Sequence, residues 1–320
     1  MIKKYFIPAL ALLMLLCFFC ACEKKDTESD NITIVTTVFP QYDFAKKITA
    51  GTDAKIEMLI PPGCEPHAYE PTPSDMVIAA ECDLFIGVGG ESEAWAEKII
   101  SAANIDVSRR LYLMDMVPLL EVESGHGNGE HSHAHIHGDH DHGHIHDEHV
   151  WTSPKNAMII VDAIAKRLCE IDPQNEALYL ENAETYLSEL SKLDKEFSVL
   201  AENAAKVPLV FGDRFPFLYL ARAYGFEYTS PFRGCSAHTE ASMAEIADAI
   251  EAARNADSGT IFSVDFGSQK LALTIADEAD ARICRLYSCH TVSAEYFEKG
   301  IGYIDLMKKN LENIREAVEN

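Results

Sequence analysis

Short β-branched and apolar runs alternate with longer amphipathic stretches over most of this chain. Ile32–Val38 is compact and apolar, and Phe39-Pro40 leads from it into the amphipathic stretch Tyr42–Thr49, which predicts strand, loop and helix. Lys55–Ile60 reads as a second strand ended by Pro61-Pro62-Gly63, and Ser74–Glu81 as a helix. Leu84–Val88 is a third strand closed by Gly89-Gly90, Trp95–Asn104 a helix, and Arg110–Asp115 a fourth strand. Strands that alternate with helices predict a parallel α/β sheet, whose ligands sit beyond the carboxyl ends of the strands. Loops near Phe39, Gly63 and Gly89 occupy those ends.

The periodicity then stops, and resumes at Ser153-Pro154 with a helix through Asn156–Glu170. Pro173–Ala205 follows, with apolar residues at Ala183, Tyr186, Leu187, Leu190, Leu193, Phe197, Leu200 and Ala204. This spacing of three and four predicts one long helix of roughly 45 Å, a strut between two lobes. Alternation returns after Pro208: strands at Leu209–Phe211, Phe226–Ser230, Thr260–Val264 and Arg282–Tyr287, and helices at Phe217–Tyr224, Met243–Asn255, Ser268–Ala279 and Tyr296–Ala317. The fold class is therefore α/β, with two parallel-sheet lobes joined by a long rigid helix. Its expected divisions are 32–172 for the first lobe, with a histidine-rich loop at 125–148, then 173–205 for the connecting helix and 206–320 for the second lobe.

Composition adds a compartment. Lys3 and Lys4 precede the apolar run Ile7–Phe19, which is too short to favour a membrane span and reads as an export signal. Phe19-Cys20-Ala21-Cys22 then suits processing that removes 1–21 and leaves Cys22 lipid-modified, with 22–31 as a polar tether; the other reading is plain cleavage near Ala21. Either way the protein is expected outside the cytoplasm, on the cell membrane or in the periplasm. The net charge of −24 disfavours nucleic acid and anionic lipid and gathers cations, although it also serves solubility alone. About 290 mature residues suffice for two cores. The cysteines beyond Cys22 are scattered, with no CxxC pair and no zinc-ribbon spacing.

The interruption itself carries chemistry. Gly125–His149 holds ten of the thirteen histidines, with five carboxylates and no Lys or Arg. Imidazole is the commonest side-chain ligand for borderline transition metals, so the run names a metal cargo. It has no hydrophobic period and cannot offset its ordering entropy by burial.

At Pro61–Asp75 the chain reads PPGCEPHAYEPTPSD, and at Asp147–Pro154 DEHVWTSP. Together these closely resemble the metal-binding lipoproteins and periplasmic proteins that feed zinc and manganese ABC importers. The signal, the intervening histidine run, the long helix and the second lobe extend the resemblance over roughly Ile32 to Asn320. It implies two lobes with one metal ion in the cleft between them, and it assigns first-lobe ligands to His67 and His149. In the second lobe the family's usual histidine is absent, and Gly212 stands there, next to Asp213. Two histidines could replace it. His290, in YSCHTVS, follows the Arg282–Tyr287 strand where the family usually places a carboxylate ligand; His238 lies in GCSAHTEAS, with Glu240 as an alternative ligand. Glu65, Glu70 and Glu148 are near enough in sequence to fix ring tautomers.

Four ligands of this kind suit tetrahedral Zn²⁺, and imidazoles favour it over Mn²⁺, which stays possible. Cys64, Cys235 and Cys289 each lie close to one of these histidines, but thiolates would hold a cargo too tightly for release; Cys235 and Cys289 could equally form a disulfide. The remaining histidines, His126, His131, His133, His135, His137, His140, His142, His144 and His146, become an accessory collector that raises local metal concentration. The partners implied are the permease and ATPase subunits of an importer, with the chain itself a monomer. No catalytic residue is expected, and no HExxH or other hydrolase signature occurs; the rival class is a zinc hydrolase with a metal-bound water. Ordinary imidazoles would lose metal as the pH falls through about 6.

Overall fold

The computed structural model describes residues 31–122, 146–204, 207–232, 241–256 and 258–319. Two four-stranded parallel sheets organise them. The first comprises β1 (Thr33–Thr36), β2 (Lys55–Met58), β3 (Leu84–Gly87) and β4 (Arg110–Tyr112), in the order β2-β1-β3-β4. The second comprises β5 (Leu209–Phe211), β6 (Tyr228–Thr229), β7 (Thr260–Val264) and β8 (Arg282–Leu286), in the order β6-β5-β7-β8. The central strands β1, β3, β5 and β7 are almost wholly buried, as parallel strands covered by helices on both faces must be. Both sheets thus repeat one topology, with the first strand inside and the chain stepping outwards to each edge.

The helices of the first lobe are α1 (Phe39–Ile48), α2 (Pro73–Ala80) and α3 (Ala94–Ala103). Thr72 caps α2 reciprocally with Asp75, whose carboxylate also accepts from the Tyr69 hydroxyl at 2.8 Å. Then come α4 (Pro154–Ile171) and the long α5 (Glu176–Ala204), followed by α6 (Leu218–Tyr224), α7 (Met243–Asn255), α8 (Lys270–Ala279), α9 (Ala294–Glu298) and α10 (Tyr303–Glu319). The 29 residues of α5 span about 43 Å. Its buried stripe, Tyr179, Ala183, Tyr186, Leu190, Leu193, Phe197 and Leu200, steps by three and four, and faces α4, α1 and α10.

Some elements differ from the sequence pattern. The long helix begins at Glu176, after a 3₁₀ turn at Pro173–Asn175. The expected closing helix is two helices, because Gly300 takes a left-handed φ of 69° and turns the chain between α9 and α10. The fourth strand ends at Tyr112, where a 3₁₀ turn over Leu113–Met116 takes over. Apolar character alone does not separate a strand from the turn that buries its last residues.

The core also departs from expectation. One hydrophobic cluster runs from Ile34 and Phe85 in the first sheet through Tyr186 and Phe197 on α5 to Phe211, Leu286 and Ile314. The second cluster is small and lies under α7 and α8, around Val210, Ala249, Ala253 and Ile275. The lobes therefore share their main core, which limits how far one can turn against the other. Among the described residues, no helix is long and apolar enough to cross a membrane.

A buried side chain of α10 helps to fix the end of β8. Asn310 of α10 accepts from Tyr287 N–H at 2.7 Å and donates to Tyr287 C=O at 2.7 Å. Replacing it with leucine keeps volume and strands both backbone groups. Asn310→Leu should cost about 3 kcal/mol in urea unfolding of the metal-free protein.

Candidate metal centre

Three loops meet where the sheets' carboxyl ends face each other. His67 lies in the 3₁₀ turn Pro66–Ala68, after the Pro-Gly turn that ends the β2 region; Glu65 begins this turn and accepts from His67 N–H at 3.3 Å. His149 stands immediately before the 3₁₀ turn Val150–Thr152, which leads into α4. His290 follows β8, its backbone N–H donating to Ser288 Oγ at 3.2 Å. One ring nitrogen from each of the three histidines lies within 4.8 Å of the others. Ring centroids are separated by 5.8 Å for His67–His149, 4.9 Å for His67–His290 and 5.2 Å for His149–His290.

The donor set fits a metal ion. His149 Nδ1 lies 3.2 Å from Asp147 Oδ1, and the same oxygen accepts His149 N–H at 2.8 Å. A proton on Nδ1 leaves Nε2 as the ligating atom, as in carboxylate–histidine–metal triads. His67 Nε2 is buried with no hydrogen-bond partner among the described residues. Tetrahedral zinc would need nitrogens about 3.3 Å apart, so small ring rotations close the cluster around an ion. The adjoining cavity measures about 170 Å³, and Asp213, Arg214 and Asp265 also line it.

Trp151 supports the cluster from below, with its ring centroid 5.5 Å from His149 and 5.0 Å from His290. Its Nε1–H donates to Ser288 C=O at 2.9 Å, and the Tyr303 hydroxyl donates to its carbonyl at 2.6 Å. Tyr303 N–H in turn donates to buried Asp43 at 3.0 Å, as does the Tyr186 hydroxyl at 3.1 Å. These bonds lock a first-lobe turn, the second-lobe loop of His290 and three helices, α1, α5 and α10, into one unit.

Burial sets the protonation states. His67 is pushed down to about 3 by desolvation first, then by its neighbours His149 and Arg214. Desolvation, with His149 and His67 beside it, also holds His290 well below the ordinary imidazole value. In the metal-free protein both rings are therefore held neutral below the range of an ordinary imidazole. Asp265 moves the other way, pushed up to about 7 by desolvation despite accepting from Ser288 N–H at 2.7 Å.

The structure explains the absent second-lobe histidine. A Cβ on Gly212 would lie 2.6 Å from the Ala272 backbone and 2.9 Å from Ile261 Cγ2, so α8 passes too close to the residue after β5 for any side chain there. His290 reaches the cluster from the loop after β8. His238 and Glu240 lie outside the described residues, as do Cys22, Cys235 and the histidines from His126 to His144. His146 is described: it pairs with Glu121 in an antiparallel bridge at the neck of the histidine-rich segment, away from the three-histidine cluster. Cys289 is a buried free thiol that donates weakly to Tyr287 C=O, and Cys64 is exposed. Of the acids expected to orient rings, Glu65 reaches only the backbone of His67, Glu148 accepts from Ser92, and Glu70 is exposed. Asp147 does the work instead; its D-x-H spacing to His149 was the available signal. Asp265 had none, because it reaches the site only when β7 and β8 pair.

Two parallel α/β lobes that share a core and bracket a buried imidazole cluster define a solute-binding protein for a bare cation. The chain belongs to the zinc-uptake family: the family model described as ZnuA, zinc-uptake complex component A periplasmic, matches residues 34–317. The high-affinity zinc uptake system protein ZnuA of Bacillus subtilis (strain 168) is 33% identical over 299 residues, which are 92% of this chain and 89% of that protein. The zinc-binding lipoprotein AdcA of Streptococcus pneumoniae (strain ATCC BAA-255 / R6) is 30% identical over 94% of this chain, which spans 59% of AdcA's length. The crystal structure of the Zn(II)-bound ZnuA-like domain of that species' AdcA superposes with a TM-score of 0.71 at 27% identity, covering 91% of this chain and all of the domain.

The depressed histidine predicts a direction for stability. Between about pH 6.5 and 3 the unfolded chain takes up a proton at residue 67 that the folded, metal-free protein refuses. His67's contribution is thus complete above the unfolded value and is lost as the pH falls. Urea titrations from pH 7 to 4 should show His67→Phe losing less stability than the parent; an equal loss would contradict the buried, neutral ring.

Proposed function

We propose that this protein captures Zn²⁺ outside the cytoplasm, with His67, His149 and His290 as its ligands, and delivers it to the permease of an ABC importer. The observation that carries the reading is the convergence, within 4.8 Å, of nitrogens from three loops across two lobes. Zinc is the cargo, and membership of the zinc-uptake family supports that identity. Three imidazoles favour Zn²⁺ over Mn²⁺, which seeks more oxygen ligands. A water or a carboxylate from the cavity wall completes the tetrahedron. The family's role is transport, and a cavity of about 170 Å³ holds an ion with a few waters but is smaller than the pockets that enclose organic substrates.

The remaining parts of the reading concern delivery. Cys22 carries a lipid that keeps a monomeric protein at the membrane, with 22–31 as tether. Segment 125–148 collects zinc at lower affinity and raises its concentration beside the cleft. The first lobe covers 32–172, the connecting helix 173–205 and the second lobe 206–320.

Metal analysis of the isolated protein, with calorimetric titration of the stripped form, tests the site. One tight zinc is expected in the cleft, and alanine at His67, His149 or His290 should each weaken it by more than roughly a hundredfold, beyond the usual effect of losing a ligand's supporting residue. Tight binding that survives all three substitutions would overturn the ligand set. Deleting Gly125–Asp147 would remove Asp147 as well, so the informative deletion is 125–144. It should lower the zinc stoichiometry and leave the tight site in place.

A further inference from the structure

Tyr219 stands on α6, in the second lobe, yet its hydroxyl serves the two segments that flank the first lobe's histidine-rich insertion. The phenol oxygen accepts from Leu120 N–H at 3.1 Å and donates to Asp147 C=O at 3.0 Å. Those segments are also joined directly: Asp147 N–H donates to Leu120 C=O at 2.9 Å, and Glu121 pairs with His146. Tyr219 is 4% exposed, so these bonds are sheltered from competing water. Through Oδ1, Asp147 holds both the backbone N–H and the Nδ1 of His149, so moving the Asp147 backbone moves the ring. The same helix packs on the Val150–Thr152 turn just beyond His149. Support from α6 therefore reaches His149 from both sides in sequence.

We propose that Tyr219 is a positioning residue for metal capture, whose hydroxyl fixes Asp147 and thereby aims His149 into the cleft. A phenylalanine would fill the same apolar space, so the hydroxyl is the element that carries this role. The proposal rests on His149 being a zinc ligand, and its test separates the two ideas.

Zinc affinity and dissociation rate are measured by competition with a tight chelator for the parent, Tyr219→Phe, Asp147→Ala and the double variant. Tyr219→Phe should weaken the cleft site about tenfold, the lower end of the range for residues that support a ligand. In the Asp147→Ala background it should add nothing, because the group it acts through is gone. A structural role alone would lower the melting temperature of the metal-free protein without producing this non-additivity. Parental affinity in Tyr219→Phe, or a further tenfold loss on top of Asp147→Ala, overturns the proposal. If His149→Ala binds zinc as the parent does, the ligand assignment fails instead. Should Tyr219→Phe not fold, the parent supplies the test: linkage requires zinc to slow amide exchange at Leu120, and unchanged exchange overturns the coupling.

Discussion

The buried bonds around Trp151 are the constraint on which the site depends. The indole sits on a first-lobe turn, and its one polar atom is committed to a carbonyl of the loop that presents His290. Its own carbonyl receives the Tyr303 hydroxyl, and Tyr303 begins the helix whose Asn310 pins the end of β8. A fully buried Trp N–H without a partner would be costly, and the observed approach of the two lobes satisfies it. That arrangement also brings His149 and His290 together above the ring.

The shared core gives this lock its stiffness. Tyr186 and Phe197 of the long helix belong to the same cluster as the sheets on either side, and buried Asp43 ties α1, α5 and α10 together through two hydrogen bonds. Desolvation holds Asp43 above the usual carboxylate range, which is consistent with its deep position. The shared core leaves the two lobes little freedom to turn against each other.

Burial of the histidines also governs their chemistry. Desolvation keeps His67 and His290 neutral far below their ordinary range, so protons compete poorly for the nitrogens that a cation needs. The same low-dielectric surroundings raise Asp265, and the net effect is a pocket that is less charged than its composition suggests.

Much of this was legible along the chain. Short β-branched apolar runs located the strands, and the spacing of three and four located the long helix, because each reflects the faces a local segment must bury. His67 and His149 stood in recognisable turn sequences, and His290 followed a strand at a position where a ligand was expected. The density of imidazole named the cargo. Other features depended on residues far apart in sequence. Trp151 meets Ser288 across 137 positions, and Tyr219 reaches Asp147 across 72. Gly212 looked like a missing ligand until the closeness of Ala272 explained it. The sequence by itself determined which elements form and which donor atoms are available, since both follow from local spacing and side-chain chemistry. Only the tertiary structure decided which histidines meet, which carboxylate holds the His149 ring and how strongly His67 and His290 resist protonation, because distance and desolvation arise when remote segments pack.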